Sequence, residues 1–407
     1  MIMNNFQSTF NWIDSQKENM VELVTRWASI NTHTLNMKGI HHQVDELELY
    51  LSSFKEKIQE VSLPPFEWIN VNGQLERAEV GPLLVVSKRP HLAKQAMFVI
   101  HMDTVYSVND EFQHVRKIDK NTLLGPGVAD AKGGMVVLLK TLEAFERSPY
   151  AHEAGWKIVL NSDEELGSPC SGAFLQEVAG CCQIGFVFEP CLQDGNLIGT
   201  RKGSGNFTIV ARGRAAHAGR ESDAGRNAIM ALARCLVKIN DLAGTRPGLT
   251  VNVGIVKGGT AMNVVPSFAI ARINLRIQDV DDQKYIQENI KLIAQEITKK
   301  EQVVFDIYGA FTAMPKPLEG PTLELFRHVQ ACGNELDLHF DFKDSGGVCD
   351  GNRLYAAGLP TVDTMGVQGG SLHSHEEYLL IDSLVERTKL ATSAFMKWAK
   401  GDWDLKR

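Results

Sequence analysis

The amino-acid sequence predicts an α/β protein with a mostly parallel sheet and a smaller α/β unit inserted into it. Over the first half of the chain, short apolar runs alternate with stretches of helical periodicity, which is typical of a parallel sheet covered by helices. The rhythm changes near Thr200, and 407 residues are many for one domain. We therefore expect one domain formed by residues 1–199 and 312–407, with an inserted domain at 200–311.

The elements of the first part follow from periodicity. Helical spacing of apolar residues at Asn19–Ile30 and Val44–Val61 predicts two surface helices that cover the sheet. A Gly-Gly step then opens a predicted helix at Met135–Arg147. The apolar runs that predict buried strands are Pro82–Val86, Ala96–Ile100, Trp156–Leu160 and Ile184–Phe188.

The inserted domain has the ferredoxin-like order β-α-β-β-α-β. The alternation in Ala271-Arg272-Ile273-Asn274 predicts a sheet with one apolar and one polar face. The predicted elements are a strand at Asn206–Arg212, a helix at Gly225–Asn240, strands at Leu249–Val256 and Phe268–Gln278, a helix at Asp281–Lys300 and a strand at Gln302–Tyr308.

Composition excludes several classes of function. The formal charge is −7, from 42 basic and 49 acidic residues, so the chain has no basic field to attract nucleic acid or an anionic membrane. No apolar run reaches the roughly 18 residues of a membrane-spanning helix. The seven cysteines are odd in number and form no C-x-x-C pair, which favours free thiols in a reducing compartment. We therefore expect a cytoplasmic protein that binds neither nucleic acid nor a membrane.

Acidic and histidine residues follow the predicted strands directly. Because ligands bind at the carboxyl ends of strands in such sheets, these residues are expected to share one site. Two imidazoles and several carboxylates suggest two divalent metals, and nitrogen and oxygen ligands without thiolates favour zinc, with Co²⁺ or Mn²⁺ able to substitute. The residues are His101, Asp103, Asp130, Glu164, Glu165, Glu189 and, near the C-terminus, His373.

Three of these motifs carry chemistry of their own. In His101-x-Asp103 the carboxylate can accept the imidazole N–H and so orient the ring. Asp130 lies in a glycine-rich segment, but both phosphate-loop patterns, G-x-x-x-x-G-K-[ST] and G-x-G-x-x-G, are absent. The neighbours Glu164 and Glu165 point different ways in a turn, so one can bind metal while the other acts as a base.

Taken together, the chain resembles the co-catalytic zinc metallopeptidase and aminoacylase family, peptidase family M20. That family includes bacterial glutamate carboxypeptidase, acetylornithine deacetylase and succinyl-diaminopimelate desuccinylase. The resemblance covers nearly the whole chain and implies a zinc-exopeptidase-like catalytic domain with an inserted dimerisation and lid domain. The motifs that carry it are His-x-Asp, GPGVADAKGG, DEE-x-GS, FEP and the late His-Ser-x-x-Glu-Tyr.

The resemblance also implies a role for each site residue. His101, Asp130 and Glu189 would bind zinc, with Asp130 bridging two ions, and Glu165 and His373 would complete the second position. Asp103 would orient His101, and Glu164 would be the general base. The peptide bond after Asp130 is expected to be cis, as in the family.

In the inserted domain, the resemblance implies that His217 reaches across a homodimer to stabilise the oxyanion of the reaction. Asn263 and Arg276 match positions that hold the substrate carboxylate, and an arginine fork suits that task. By periodicity alone, Arg276 would be an ordinary exposed strand residue.

The predicted function is hydrolysis of the amide bond of N-acyl or peptidyl amino acids with a free carboxylate. A C-terminal glutamate is the first expectation, although a lysine found in some glutamate-specific relatives has no counterpart in Cys191–Gly199, and Arg201-Lys202 are considered as substitutes. Acetylornithine-type or succinyl-diaminopimelate-type deacylation and dipeptide cleavage remain open. A non-catalytic dimeric binding protein is a remote alternative. Such a protein would be expected to have lost one of the metal-binding residues, whereas all five and the predicted base are present here.

Overall fold

The computed structural model describes residues 3–52, 57–403 and 405. A helix at Met3–Ser15, which the sequence analysis did not predict, comes before the one at Lys17–Ala28, which was predicted at Asn19–Ile30. The elements that come before the inserted domain are α1 Met3–Ser15, α2 Lys17–Ala28, α3 Met37–Leu51, β1 Lys57–Val61, β2 Phe66–Ile69, β3 Leu75–Ala78, β4 Leu83–Lys88, β5 Gln95–His101, β6 Arg116–Lys117, β7 Thr122–Leu124, α4 Gly134–Glu146, β8 Gly155–Asn161, α5 Gly172–Ala179, β9 Ile184–Val187 and β10 Leu197–Arg201.

The later elements divide into the inserted unit and the return to the first domain. The inserted elements are β11 Gly203–Arg212, α6 Ala228–Asn240, β12 Thr250–Gly258, β13 Phe268–Ile277, α7 Asp282–Glu301 and β14 Val304–Ala313. The returning elements are α8 Gly320–Glu335, β15 Phe342–Ser345, α9 Asp350–Ala356, β16 Thr361–Asp363, β17 Gly369–Gly370, β18 Tyr378–Leu380 and α10 Ile381–Lys400.

The central sheet has the strand order β1-β4-β8-β5-β9-β16. Strands β8, β5, β9 and β16 run parallel; β4 pairs antiparallel with β8, and β1 pairs antiparallel with β4 at the edge. All seven residues of β5 are buried, because helices cover both faces of the sheet. The mostly parallel α/β sheet predicted from the sequence is confirmed.

One predicted helix is wrong over its last five residues, Lys57–Val61, while residues 53–56 lie outside the part of the chain that the structure describes. The helix expected at Val44–Val61 ends at Leu51, and Lys57–Val61 forms the edge strand β1. Lys57–Val61 pairs antiparallel with Leu83–Ser87, so the backbone groups of this segment find partners in the sheet instead of in a helix. Tertiary pairing here overrides a helical spacing of Ile58 and Val61.

The start of α4 packs unusually closely on the end of β9. A methyl group on Gly134 would clash with the main-chain oxygen of Phe188, the residue before Glu189. Helix α4 then buries eleven of its thirteen residues between the sheet and α10. Close approach at Gly134 therefore sets the distance between α4 and the strand end that carries Glu189.

Substituting Gly134 with alanine is expected to destabilise the protein by about 1–3 kcal/mol, the usual cost of overpacking a tight core. The measurement is the urea midpoint of unfolding. Gly346→Ala is the control, since its methyl group would meet no described atom within 4 Å, and its effect should stay within about 0.5 kcal/mol. Equal midpoints for the two variants would show that the contact at Gly134 is not tight.

The inserted unit is a four-stranded antiparallel sheet in the order β12-β13-β11-β14, with α6 and α7 on one face. The predicted order of elements is confirmed. Residues such as Phe207, Ile209 and Leu275 face the helices, whereas Asn206, Thr208 and Arg272 line the other face. Ile69 of β2 packs against this second face through Val210 and Ile270, which joins the two units.

The two connections between the units lie side by side. Arg201 and Lys316 exchange main-chain hydrogen bonds of 2.9 Å in both directions. Both side chains are buried and approach the carboxylate of Asp363, with Arg201 Nε donating to its Oδ2 at 2.7 Å and Lys316 Nζ at 3.5 Å. In the part of the chain that the structure describes, no helix is long and apolar enough to cross a membrane.

Candidate active site

The candidate site lies at the carboxyl ends of β5, β8 and β9, which are neighbours in the central sheet. His101 is the last residue of β5, and Glu189 comes two residues after β9. Glu164 and Glu165 begin a single 3₁₀ turn that follows β8. The sheet thus brings together residues from three predicted strand ends, as expected for ligands in an open α/β sheet.

Asp130 is supplied by the tight turn between β7 and α4. Gly127 opens the turn with a φ of 69°, and a methyl group there would press against Thr104. The Asp130–Ala131 peptide bond is cis, as predicted. The turn places the carboxylate of Asp130 beside the carboxyl ends of the strands, where Asp130 is only 8% exposed.

The carboxylate of Asp130 lies between two imidazoles. Its Oδ1 is 3.1 Å from His101 Nε2, and its Oδ2 is 3.3 Å from His373 Nε2. Glu189 Oε1 lies 3.7 Å from the same nitrogen of His101, and Glu165 Oε2 lies 3.4 Å from that of His373. The five side chains therefore form two groups of one imidazole and two carboxylates, with Asp130 common to both.

Burial and crowding shift the titration of these groups. Burial and the charge of Asp130 raise the pKa of Glu189 to about 7 and that of Glu165 well above its usual value. The hydrogen bond to Asp130 and the charge of Glu165 raise the pKa of His373 to about 9. Burial opposes ionisation of Asp130, but hydrogen bonds from His101 and His373 outweigh it, and the pKa of Asp130 falls below its usual range.

The residues present fit divalent cations. Oε1 of Glu165 and Oε1 of Glu189 are buried and have no hydrogen-bond partner among the described residues. Ligand atoms of His101, Asp130 and Glu165 lie within 4.8 Å of one another. Buried carboxylate oxygens without partners are costly unless a cation neutralises them, so this cluster is a candidate metal site.

Asp103 holds the turn that carries the two glutamates. Its Oδ1 accepts the N–H of Glu164 at 3.2 Å, and its Oδ2 accepts the N–H of Glu165 at 3.1 Å and the hydroxyl of Thr34 at 2.7 Å. The nearest acceptor for His101 Nδ1 is the main-chain oxygen of Asp103 at 2.9 Å, and the carboxylate lies farther away at 3.4 Å. Asp103 thus faces the imidazole with its carbonyl group and, at the longer distance, with the carboxylate that the sequence analysis assigned to this role.

Glu164 lies beside the two groups without being part of either. Burial and the charge of Glu189 raise the pKa of Glu164 well above its usual value. Its neighbour Glu165 points to His373 instead. The two adjacent glutamates therefore face different surroundings.

The predicted residues of the inserted domain lie in two places. His217 and Asn263 are exposed on adjacent loops, where Ala218 N–H donates to the oxygen of Asn263 at 3.0 Å. The described side-chain contact of His217 is local, since its Nδ1 accepts the N–H of Gly219 at 3.1 Å. Arg276 is on β13 and donates from Nη1 to the main-chain oxygen of Gly346, which follows β15, at 3.3 Å.

Sequence reasoning missed one buried cation beside the site. Lys132 is 1% exposed and its Nζ donates to Thr32 Oγ1 at 2.8 Å and to the main-chain oxygen of Met102 at 2.5 Å. It fixes the segment between His101 and Asp103. The available signal was a single positive charge, two residues after Asp130, in an otherwise small and apolar stretch before α4.

Sequence comparison identifies similar proteins. Residues 199–302 match the peptidase dimerisation domain of the M20 family. Carboxypeptidase G2 from a Pseudomonas species is 26% identical over 330 residues, which cover 79% of this chain and 78% of the relative. The succinyl-diaminopimelate desuccinylase of Hahella chejuensis is 24% identical over 318 residues, with 73% of this chain and 80% of the relative covered.

Solved structures share the whole fold. The M20 family metallo-carboxypeptidase Sso-CP2 from Sulfolobus solfataricus superposes with a TM-score of 0.71 at 14% identity, over 94% of this chain and 99% of that one. YxeP from Bacillus subtilis, a dinuclear metal-binding peptidase of the same family, gives a TM-score of 0.63 at 13% identity, over 95% and 99% of the two chains. These likenesses confirm the predicted fold, an α/β domain with a smaller α/β domain inserted into it.

Proposed function

Since the chain belongs to the M20 peptidase family and is a hydrolase of peptide or related amide bonds, we propose that it cleaves the amide bond between an acyl or peptidyl group and an amino acid with a free carboxylate. The observation that carries the proposal is the Asp130 carboxylate, which contacts one imidazole with each oxygen and has a further glutamate on either side. A binding protein without catalysis would not need Glu164 beside such a cluster.

Two zinc ions are the proposed cofactors. His101, Asp130 and Glu189 would hold one, and Asp130, Glu165 and His373 the other. Nitrogen and oxygen donors without a thiolate suit zinc, and Co²⁺ or Mn²⁺ could replace it. When bound, the ions would supply Lewis acidity, which lowers the pKa of water and polarises the substrate carbonyl.

Glu164 is proposed as the general base. Asp103 accepts its main-chain N–H and so holds Glu164 next to, but outside, the ligand groups. Its carboxylate would take a proton from the attacking water and deliver it to the leaving nitrogen, which departs as an amine. Asp103 would thus position the base and His101 at once.

The substrate carboxylate would bind where the two units meet. Arg276 is half-buried, and Asn274 accepts from its Nε at 2.9 Å, so the guanidinium is already oriented. A cleft of about 560 Å³ runs from Leu166, the last residue of the turn that carries Glu164 and Glu165, along the polar face of the inserted sheet to Asn274 and Arg272. Such a cleft suits an extended acyl or peptidyl group.

A homodimer through the inserted domain, at residues 200–311, is proposed to complete the site. Strand β12 is an edge strand, and exposed apolar side chains lie on it and on α6 beside it: Met230, Val237, Ile255 and Val256. An open edge flanked by apolar residues is a ready surface for a second copy. His217 and Asn263 would then reach the active site of the partner.

The amino acid released is a finer question. Arg201 is not available to bind a glutamate side chain, because it is buried and donates to Asp363. Lys202 Nζ donates to Gly248 O at 2.8 Å. Glutamate carboxypeptidase activity is our first candidate, given the similarity to carboxypeptidase G2, and desuccinylase-type deacylation is the second, given the relative of that name. Seven free cysteines agree with the cytoplasm as the proposed location.

A substrate panel tests the proposal. Dipeptides and N-acyl amino acids that end in Glu, Asp, Ala, Leu or ornithine, together with N-succinyl-diaminopimelate, are incubated with the zinc-loaded enzyme and with a chelator. We expect cleavage of at least one series, loss of activity with chelator and recovery on adding zinc, since the ligands cannot activate water alone. Cleavage that survives complete removal of metal would contradict the proposal.

A further inference from the structure

Glu377 is a fully buried glutamate that lies against the turn carrying Asp130. Its Oε1 accepts the N–H of Ala129 and the N–H of Asp130, each at 2.9 Å, and its Oε2 accepts the N–H of Gly127 at 3.1 Å. One carboxylate thus binds three of the four N–H groups from Gly127 to Asp130. Such charge-assisted bonds are among the strongest that hold a turn.

The main chain of Glu377 reinforces the same contact. Its carbonyl accepts the N–H of Gly125 at 3.1 Å, and the next residue begins β18. Strand β18 pairs antiparallel with β7, with Tyr378 opposite Leu124. The segment after His373 is therefore fixed in register against the strand that leads into the Asp130 turn.

Tyr106 connects this carboxylate to the histidine loop. Its hydroxyl oxygen lies 2.6 Å from Glu377 Oε2 and 2.9 Å from the main-chain oxygen of Ser374, the residue after His373. The N–H of Glu377 in turn donates to that oxygen of Ser374 at 3.2 Å. His373 has a left-handed φ of 59°, so its loop needs external support to keep this conformation.

We propose that Glu377, assisted by Tyr106, is a positioning residue that sets the distance between Asp130 and His373 and thereby builds the metal position that these two share with Glu165. The inference rests on the proposed function, because it assigns Glu377 to one of the two metal positions. The position of His101 and Glu189 also uses Asp130 but depends less on Glu377, because His101 ends β5 and Glu189 follows β9, both central strands of the sheet.

Glutamine cannot replace Glu377 in this role. Its amide oxygen could accept from Ala129 and Asp130, but its NH₂ group would then face the N–H of Gly127, so a buried donor would lose its acceptor. The turn would move away from the amide, and Asp130 would move with it. Substitution of residues that orient metal ligands typically lowers metal affinity by about 10–100-fold.

The experiment titrates metal-free protein with zinc against a chromogenic chelator and resolves the two binding steps. In Glu377→Gln, we expect the step at the position of His373 and Glu165 to weaken by about 10–100-fold, and the step at the position of His101 and Glu189, which shares only Asp130 with it, to weaken less. Tyr106→Phe removes only the hydroxyl and should weaken the same step to a smaller degree, which keeps the inference testable if the glutamine variant does not fold. Excess zinc should restore turnover in both variants.

Glu146→Gln is the matched control. Glu146 is a largely buried carboxylate that accepts hydrogen bonds from Arg89 and Trp156 in the last turn of α4, away from the ligands. The Glu146→Gln substitution should lower the thermal midpoint of unfolding and leave both zinc-binding steps unchanged. Wild-type affinity at both steps in Glu377→Gln, or equal losses in Glu146→Gln, would overturn the role of Glu377. A wild-type protein that binds no zinc would overturn the proposed function as well.

Discussion

Replacing Glu164 with alanine or glutamine is expected to lower kcat by about 10²–10⁴-fold, the usual contribution of a general base. The reason is the position of Glu164. Its main-chain N–H is held by Asp103, whereas Glu165 and Glu189 contact the imidazoles and are assigned to the metals. Zinc content should remain at the wild-type level, because Glu164 is not assigned as a ligand. The measurements are steady-state kinetics on the best substrate and metal analysis of the same samples.

The adjacent residue provides the control. Glu165→Gln makes the same chemical change one position along the turn, but Glu165 contacts His373 and is assigned to a metal. We expect this variant to lose zinc and to recover part of its activity at high zinc concentration, which Glu164→Gln should not do. An active Glu164 variant, or one that loses zinc as Glu165→Gln does, would remove Glu164 from its proposed role.

Residues at the ends of central strands were the most accessible to prediction. Strands β5 and β9 are buried on both faces, so each appears in the sequence as an uninterrupted apolar run that ends abruptly in a polar residue. The sheet then brings His101 and Glu189 together without any further information. The inserted sheet was predictable for a related reason, since one of its faces is polar and its residues alternate.

Edge and loop features were less accessible. None of the five residues of β1 is fully buried, so the sequence carries no strand periodicity there, and pairing with β4 decides the conformation. The role of Glu377 depends on contacts to a turn 250 residues away, and Asp103 acts on a turn 61 residues later. Such partners are set by the three-dimensional fold and leave no local pattern.

The second large effect concerns His217. If His217 stabilises the developing oxyanion, His217→Ala should lower kcat by about 10²–10³-fold with little change in KM, because the contact forms only as charge develops. His217 is exposed on the inserted domain, and its described side-chain contact is to its own loop. This position favours a role in the active site of the partner subunit. Steady-state kinetics of each purified variant measure kcat and KM before the variants are mixed.

Mixing then decides between action within and across subunits. In a heterodimer of His217→Ala and Glu164→Ala chains, one site would combine an intact Glu164 with an intact His217 from the partner, so random exchange in a symmetric dimer should restore about a quarter of wild-type activity. Glu164→Ala mixed with Asp130→Ala is the control, because both lesions lie in the same half of the site and no intact site can form. If subunit exchange is verified by differently tagged chains and the first mixture stays as inactive as the control, His217 does not act across the dimer.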